Sequence, residues 1–372
     1  MIIEIISLAV AISVVFTLLS RRFERTVEGM AIPDSGKRPL VSILIPTYNS
    51  EKTITKTLNA VGKSDYPNKE IMVINDSDDR TPDIARQYGA RVIQNTDRRG
   101  KGHALNTGSK QARGELLLFL DSDTEPEPDA LSKLVSSYYH HRASDPMTAM
   151  VVPGYVASNQ HKLSAKLSHL EQQAHQAWIK AQMNLGSILS IRGSCMLIGR
   201  HAFERTGGFS QTVLEDGDFS ARMHRLGYHI KYEPRARVGI AEPETFREFF
   251  RAKKRYGKGT FFCALRHKDV YLASKHAILS FYPGFLLIAL SLIFLITTPV
   301  PALSFILFAL AVSGLGAANI KFAERQLLSS ERHMKAVSLA LMPIVILAYL
   351  IGVASGARDK LTGSDELRFK DW

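Results

Sequence analysis

The chain has 372 residues, 45% of them apolar and 22% charged, and its 47 Lys and Arg against 35 Asp and Glu leave a net charge of +12. There is ample apolar material for a core, which excludes a disordered chain, while the mean hydropathy of −0.03 excludes an all-membrane transporter. Two cysteines, Cys195 and Cys263, without a paired-cysteine motif, give neither a disulfide framework nor a zinc site.

Residues 5–20 are uncharged, and Arg21, Arg22 and Arg25 follow at once. A cleaved signal peptide carries its positive charge first, so this order predicts a membrane helix over 1–20 with the following chain in the cytoplasm. A short buried core helix is the alternative.

Residues 40–240 alternate strand-like and helix-like stretches. Strands are expected over 40–45, 70–74, 91–94 and 116–120, and helices over 50–61 and 81–88, with Pro82 suited to a first helical turn. Strands this apolar belong inside a parallel sheet covered by helices, and the alternation predicts βαβ units. In such sheets ligands bind beyond the carboxyl ends of the strands.

Several polar groups fall at those ends. Asp76 follows the second strand and can accept hydrogen bonds from a base or ribose, although the run 75–79 also reads as a turn. The run Arg98-Arg-Gly-Lys-Gly102 is a basic loop able to reach phosphates or simply to be solvated; it lacks P-loop spacing. Asp121-Ser-Asp123 places two carboxylates just past the fourth strand, where they can converge on Mg²⁺ or Mn²⁺. Helix capping is the other reading, since Asp129 marks a helix start nearby. Glu215-Asp216 opens a helix expected over 217–226 and offers either a general base or an N-cap.

Half of the excess charge is concentrated before the last third of the chain. Nine Lys and Arg between residues 244 and 275, against Glu244, Glu248 and Asp269, are interleaved with Phe246, Phe249, Phe250, Phe261 and Phe262. That pattern suits an amphipathic segment on an anionic membrane surface, a diphosphate clamp, or both. Residues 277–320 then run for 44 positions with no Asp, Glu, Lys, Arg or His. As helix this is roughly 66 Å against a hydrocarbon core of about 30 Å, so two spans broken near Pro299 are expected. Residues 336–357 add a third. The expected plan is a membrane helix at 1–20, a cytoplasmic domain at 38–242, a basic interfacial segment at 243–276, three membrane helices at 277–357 and a charged tail at 358–372.

The ordered set of motifs resembles the family 2 inverting glycosyltransferases, in their membrane-bound branch related to cellulose, chitin and hyaluronan synthases. The motifs are Val41-Ser-Ile-Leu-Ile-Pro-Thr-Tyr-Asn49, Val73-Ile-Asn-Asp-Ser-Asp-Asp-Arg-Thr81, Gly100-Lys-Gly-His-Ala-Leu-Asn106, Asp121-Ser-Asp123, Arg192-Gly-Ser-Cys-Met-Leu-Ile198, Gly207-Gly-Phe209 and Leu214-Glu-Asp216. The resemblance implies an α/β, Rossmann-like mixed sheet of the GT-A type with flanking transmembrane helices. It implies donor contacts from Pro46, Tyr48, Asn49, Asp76, Lys101, Asp121 and Arg255, and a divalent ion on Asp121 and Asp123. Asp216 would be the base, and Arg192, Gly193, Ser194, Glu215 and Tyr256 would lie on the acceptor side.

Where processive members carry Gln-x-x-Arg-Trp, this chain has Ala252-Lys-Lys-Arg-Tyr256, which keeps the Arg and loses the stacking Trp. The expectation is therefore an integral membrane enzyme moving one or a few sugars from a nucleotide-diphosphate sugar, a UDP-sugar first, to a hydroxyl of a membrane lipid or glycan. A polyprenol-phosphate sugar synthase, a processive polysaccharide synthase and a sugar nucleotidyltransferase are the enzymatic alternatives. A tethered nucleic-acid binder is motivated by charge alone, and no nucleic-acid module is present in the sequence.

Overall fold

A computed structural model of the chain describes residues 18–27, 31–95, 99–159, 161–189, 191–271, 348 and 351–362. In chain order the elements are α1 (residues 18–27), β1 (Val41–Thr47), α2 (Ile54–Gly62), β2 (Lys69–Asn75), α3 (Thr81–Gln87), β3 (Arg91–Gln94), α4 (Lys101–Gln111), β4 (Leu116–Leu120) and β5 (Thr124–Pro126). There follow α5 (Ala130–Ser144), β6 (Thr148–Ala157), α6 (Leu163–Met183), β7 (Cys195–Gly199), α7 (Arg200–Thr206), α8 (Glu215–Arg225), β8 (His229–Ile240), α9 (Phe246–Arg266) and α10 (Lys268–Tyr271). Residues 351–361 are also helical. The chain divides into two compact units, one drawn from 31–159, 186–242 and 358–372, the other from 1–30, 160–185 and 243–357. The domain expected over 38–242 is thus interrupted by the α6 segment, which belongs to the second unit.

The first unit holds the sheet. Every residue of β4 is buried, as are Val41, Ile43, Leu44 and Ile45 of β1. Strands apolar on both faces need helices on both faces. The α2 helix answers with Ile54, Thr57, Leu58 and Val61, a one-sided stripe at helical spacing. α2 begins at Ile54 rather than residue 50 because Ser50 O is already engaged by the amides of Thr53 and Ile54 in a preceding turn.

The strand order is β3-β2-β1-β4-β7-β6-β8-β5. β1, β2, β3 and β4 run parallel, as the alternation implied. β7 runs antiparallel to both β4 and β6, so the sheet is mixed rather than wholly parallel. An antiparallel neighbour begins where its partner ends, and Cys195 pairs with Leu120. Residues 192–194 are thereby delivered to the end of β4.

β5 lies beside β8 at the far edge of the sheet, yet only residues 121–123 separate it in sequence from β4. Four strand spacings in a flat sheet need about 19 Å. The four chain steps from Leu120 to Thr124 span at most about 14 Å. The sheet has to curl, and β8 allows it: its register with β6 shifts between Pro153 and Gly154. A Cβ on Gly154 would lie 2.6 Å from Pro234 O, so only glycine permits that approach.

The second unit is described through α1, α6, α9 and α10. Among the described residues no helix is long and apolar enough to cross a membrane. The expectation of an integral membrane protein is corrected accordingly, and the flanking transmembrane helices are without support. The two longest described helices are disqualified by their charges: α6 carries Lys166, Glu171 and Lys180, and α9 carries seven Lys and Arg beginning with Arg247. The expected spans over 277–320 lie outside the described residues. Of 1–20 only 18–20 are described, and of 336–357 only 348 and 351–357.

The basic segment is no uniformly exposed face. α9 opens with a capping box between Thr245 and Glu248 and buries Phe249, Phe262 and Cys263. Lys253 and Lys258 are buried too, Lys253 in an ion pair with Glu171 of α6.

Candidate active site

The parallel half of the sheet aligns the carboxyl ends of β1, β2 and β4. Beyond β1, Tyr48 is 57% exposed and Asn49 adopts a positive φ of 52°, which turns the chain away from the sheet. Pro46 is the penultimate residue of the strand. The Ser50 hydroxyl lies 2.9 Å from that of Ser122, joining this loop to the Asp121-Ser-Asp123 turn. Beyond β2, Asp76 is buried and its amide donates to Thr47 O at 2.9 Å. The 75–81 turn is organised by Asp79, which accepts from the amide and hydroxyl of Thr81 and from the Ser77 hydroxyl.

Lys101 is the centre of the arrangement. The expected basic loop is a helix start: Gly100, with φ of 86°, leads into α4, whose first residue is Lys101. Its ammonium turns inward, 2.7 Å from Asp121 Oδ1 and 3.4 Å from Glu215 Oε1, and donates to Gly193 O at 3.1 Å. The Asp121 amide donates to Ser194 O at 2.9 Å, locking the carboxylate turn to the segment before β7. Asp216 accepts from the Gly193 amide on Oδ2 and from the Gly217 amide on Oδ1, both at 2.7 Å. Asp216 is thus held within the first turn of α8, and Leu214, not either carboxylate, is the N-cap residue. The helix dipole favours the acidic turn Glu215, Asp216 and Asp218 there.

The electrostatics follow from burial. Burial works against the charge of Lys101, but Asp121 and Glu215 outweigh it and push its pKa up. Burial raises the carboxyl of Glu215 to about 7, with Lys101 pulling the other way. Burial also raises Asp216, opposed by Lys101 and by its two backbone donors. Asp123 is raised by burial and then by the neighbouring charge of Asp121. Three carboxyls around one ammonium are therefore poised above their ordinary range.

Arg192 donates through Nε to Ser194 Oγ at 3.2 Å and lies over the Tyr155 ring. Arg255 and Tyr256 belong to α9 of the other unit, where the Arg255 guanidinium sits 5.6 Å from the Tyr256 ring centroid.

Three residues of the site's supporting shell carried no assignment from sequence. The Asn106 amide side chain bonds both ways to the Phe209 backbone at 2.8 Å, fixing Gly207-Gly-Phe209 against α4. Arg222 donates to Asp218 and to the carbonyls of Thr206 and Gly208. The buried Tyr155 hydroxyl lies 2.9 Å from Arg192 O and accepts from the Cys195 amide at 3.3 Å, so it braces the 192–195 segment. The i,i+4 spacing of Asp218 and Arg222 was a readable signal. Nothing local marks Tyr155.

The donor set can be tested against a divalent ion. Mg²⁺ and Mn²⁺ take oxygen ligands and commonly share them with substrate phosphates. Asp121 and Asp123 flank one residue on a single turn, and a dication would relieve the crowding that raises Asp123. Among the described residues no group of three or more His, Cys, Asp or Glu forms a metal cage. The residues fit an ion that completes its shell with phosphate oxygens.

The first unit is thus a Rossmann-like half-sheet joined to a returning antiparallel strand, with carboxylates gathered at the strand ends. Residues 42–207 match the family model described as Glycosyl transferase family 2. The chain is 32% identical over 243 residues to the probable glycosyltransferase YdaM of Bacillus subtilis (strain 168), a match covering 61% of this chain and 57% of that one. It is 30% identical over 249 residues to the poly-beta-1,6-N-acetyl-D-glucosamine synthase of Staphylococcus epidermidis, covering 65% of this chain and 59% of that one. It thus spans less than two thirds of the length of these curated relatives. Among solved structures, the mannosyltransferase PcManGT from Pyrobaculum calidifontis, in complex with GDP-Man and Mn²⁺, superposes with a TM-score of 0.58 at 21% identity, over 96% of this chain and 99% of that one. That likeness shows the shared GT-A fold.

Proposed function

We propose that the protein is a metal-dependent inverting glycosyltransferase that transfers one or a few sugars from a nucleotide-diphosphate sugar, a UDP-sugar first, to a hydroxyl of a glycan acceptor. The observation that carries this reading is the convergence of Asp121, Glu215 and Gly193 on Lys101, with Asp216 fixed to the Gly193 amide. Asp121 and Asp216 are each tied to the 193–194 backbone, which holds two separate carboxylates beside one another.

The nucleoside would lie along Pro46, Tyr48, Asn49 and Asp76, with the exposed Tyr48 ring available for stacking. Asp121 and Asp123 would hold Mg²⁺ or Mn²⁺, which when bound neutralises charge on the leaving diphosphate. Asp216, kept in one orientation by two backbone donors, would accept the acceptor's proton as its oxygen attacks the anomeric carbon from the face opposite the leaving group. Arg192, Gly193, Ser194 and Glu215 would line the acceptor side.

The test is a screen of nucleotide sugars on purified protein with Mn²⁺ or Mg²⁺, reading the released nucleotide. Nucleoside diphosphate release is expected, reduced about 1,000-fold or more in Asp216→Asn and lost in Asp121→Ala and Asp123→Ala. Release of pyrophosphate would instead establish a nucleotidyltransferase. A second reading, a processive polymer synthase, is favoured by the name of the staphylococcal relative. Product length decides it, since a ladder of long glycans at low turnover would replace single-sugar transfer.

A further inference from the structure

Lys101 was expected to reach outward to a donor phosphate. In the structure its ammonium turns inward: it pairs with Asp121 at 2.7 Å, donates to Gly193 O at 3.1 Å and lies 3.4 Å from Glu215. An ammonium has three donors, and Asp121 and Gly193 O engage two of them while Glu215 holds the charge inward. Its side chain is only 18% exposed, and those of Asp121 and Glu215 are 27% and 10%. The backbone beneath it is fixed, because Lys101 is the first helical residue of α4 and Gly102 packs against Ser210 O and Phe209, so any release is a movement of the side chain alone.

The same Asp121 is the carboxylate a divalent ion would need. A metal oxygen bond is about 2.1 Å. A cation at that distance from Asp121 Oδ1 would lie within a few ångströms of an ammonium already 2.7 Å from the same oxygen. Two cations on one carboxylate oxygen repel each other, and in a largely dry site the repulsion is poorly screened. The metal and Lys101 therefore compete for Asp121. Release of Lys101 becomes favourable when a diphosphate offers its ammonium new acceptors and gives the metal further ligands.

We propose that Lys101 is an internal counter-cation that guards Asp121 against divalent metal until a nucleoside diphosphate enters, and so makes metal and donor binding mutually dependent. This rests on the assignment of Asp121 and Asp123 as metal ligands in the proposed function. Coupling of this kind is reciprocal, so the metal strengthens nucleotide binding by the factor that nucleotide strengthens metal binding. The role is one of positioning and gating, exerted through Asp121.

The experiment is equilibrium Mn²⁺ binding to the full chain, followed by electron paramagnetic resonance of free Mn²⁺, with and without UDP. The wild-type protein is expected to bind Mn²⁺ weakly alone and about 10-fold or more tightly with UDP present. Lys101→Met is expected to bind Mn²⁺ alone about 10-fold more tightly than wild type, with the UDP effect shrunk to a few-fold. Lys101→Arg, which keeps the charge, is expected to stay near wild type. An affinity in Lys101→Met equal to or weaker than that of wild type would overturn the proposal.

Asp121→Ala separates the two levels. Mn²⁺ binding lost in Asp121→Ala but untouched in Lys101→Met would remove the counter-cation and leave the metal site standing. Mn²⁺ binding indifferent to both Asp121→Ala and Asp123→Ala would remove the metal site, and this inference with it.

Discussion

The amide of Gly193 donates to Oδ2 of Asp216 at 2.7 Å, and the space between them admits no side chain. A Cβ at residue 193 would stand 2.9 Å from that oxygen and 3.1 Å from Asp216 Cβ. Gly193→Ala therefore has to displace the carboxylate on which the proposed proton transfer depends. A shift of about 1 Å is enough to cost roughly 100-fold in rate. Steady-state kinetics on the alanine variant are expected to show kcat down by about that factor, with donor KM little changed and the thermal midpoint lowered by a few degrees at most.

Asn106 and Phe209 are 103 residues apart in sequence, and their two 2.8 Å hydrogen bonds tie α4 to the Gly207-Gly-Phe209 loop. Asn106→Ala leaves the Phe209 amide and carbonyl to find other partners in a partly buried place. Each such group costs about 1–3 kcal/mol when left unsatisfied. Urea unfolding is expected to show a loss of about 2 kcal/mol or more. Asn106→Asp keeps the shape but sets an oxygen against Phe209 O, and it is expected to recover little of that loss.

Arg222 covers Asp218, whose side chain is 2% exposed, with Nε 2.9 Å from the carboxylate. Its other nitrogens hold the carbonyls of Thr206 and Gly208. Removing one partner of a buried ion pair costs about 3–5 kcal/mol, because a charge is left behind in a dry place. Arg222→Ala is expected to fall in that range by denaturant titration. The double variant with Asp218→Ala should be more stable than Arg222→Ala alone. A double variant that is less stable would show that the stranded charge is not the cause.

Acid sensitivity should originate far from the carboxylates of the site. Asp145 lies 2.7 Å from both Lys231 Nζ and His229 Nδ1. Burial alone would raise its pKa, but the hydrogen bonds from Lys231 and His229 outweigh burial and hold it at about 2. Burial, helped by the charge of Lys231, pushes His141 down to about 4. A carboxyl lowered on folding contributes stability above its unfolded pKa of about 3.9, and that contribution is lost as the pH falls toward 2. A histidine lowered on folding binds its proton more readily in the unfolded chain, so stability also falls from about pH 6.5 to about 4. Thermal midpoints measured from pH 2 to 8 are expected to fall less steeply between 6.5 and 4 in His141→Gln. Asp145→Asn should be less stable than wild type at pH 7 and equal to it near pH 2.

Much of the sheet was legible from residues alone. Leu116-Leu-Leu-Phe-Leu120 and Leu40-Val-Ser-Ile-Leu-Ile45 are apolar runs too short for helices, and they became β4 and most of β1. The three-residue β5 was not legible, because Thr-Glu-Pro has no strand pattern and exists only by pairing with β8. The direction of β7 was equally hidden, since an apolar run carries no sign of its polarity. The membrane reading came from the uncharged runs at 5–20, 277–320 and 336–357, and no described helix is long and apolar enough to cross a membrane. The basic segment misled in a second way. Composition counts Lys253 as a surface charge, whereas the fold buries it against Glu171.

The sequence by itself determined the chemical inventory: carboxylates at 76, 121, 123, 215 and 216, a lysine after Gly100, and the strands that would carry several of them to one edge. Each of those carboxylates had a structural reading as a cap or turn, and local pattern could not choose between the readings. Only the tertiary structure decided which groups meet. Lys101 and Asp121 lie 20 positions apart, Gly193 and Asp216 23 apart, and Lys101 and Gly193 92 apart. Those distances close because β7 returns antiparallel to β4 and delivers its leading residues to the end of that strand. Buried polar groups must then satisfy one another where water is absent. That requirement turned an outward-reaching lysine into the internal partner of the site's carboxylates.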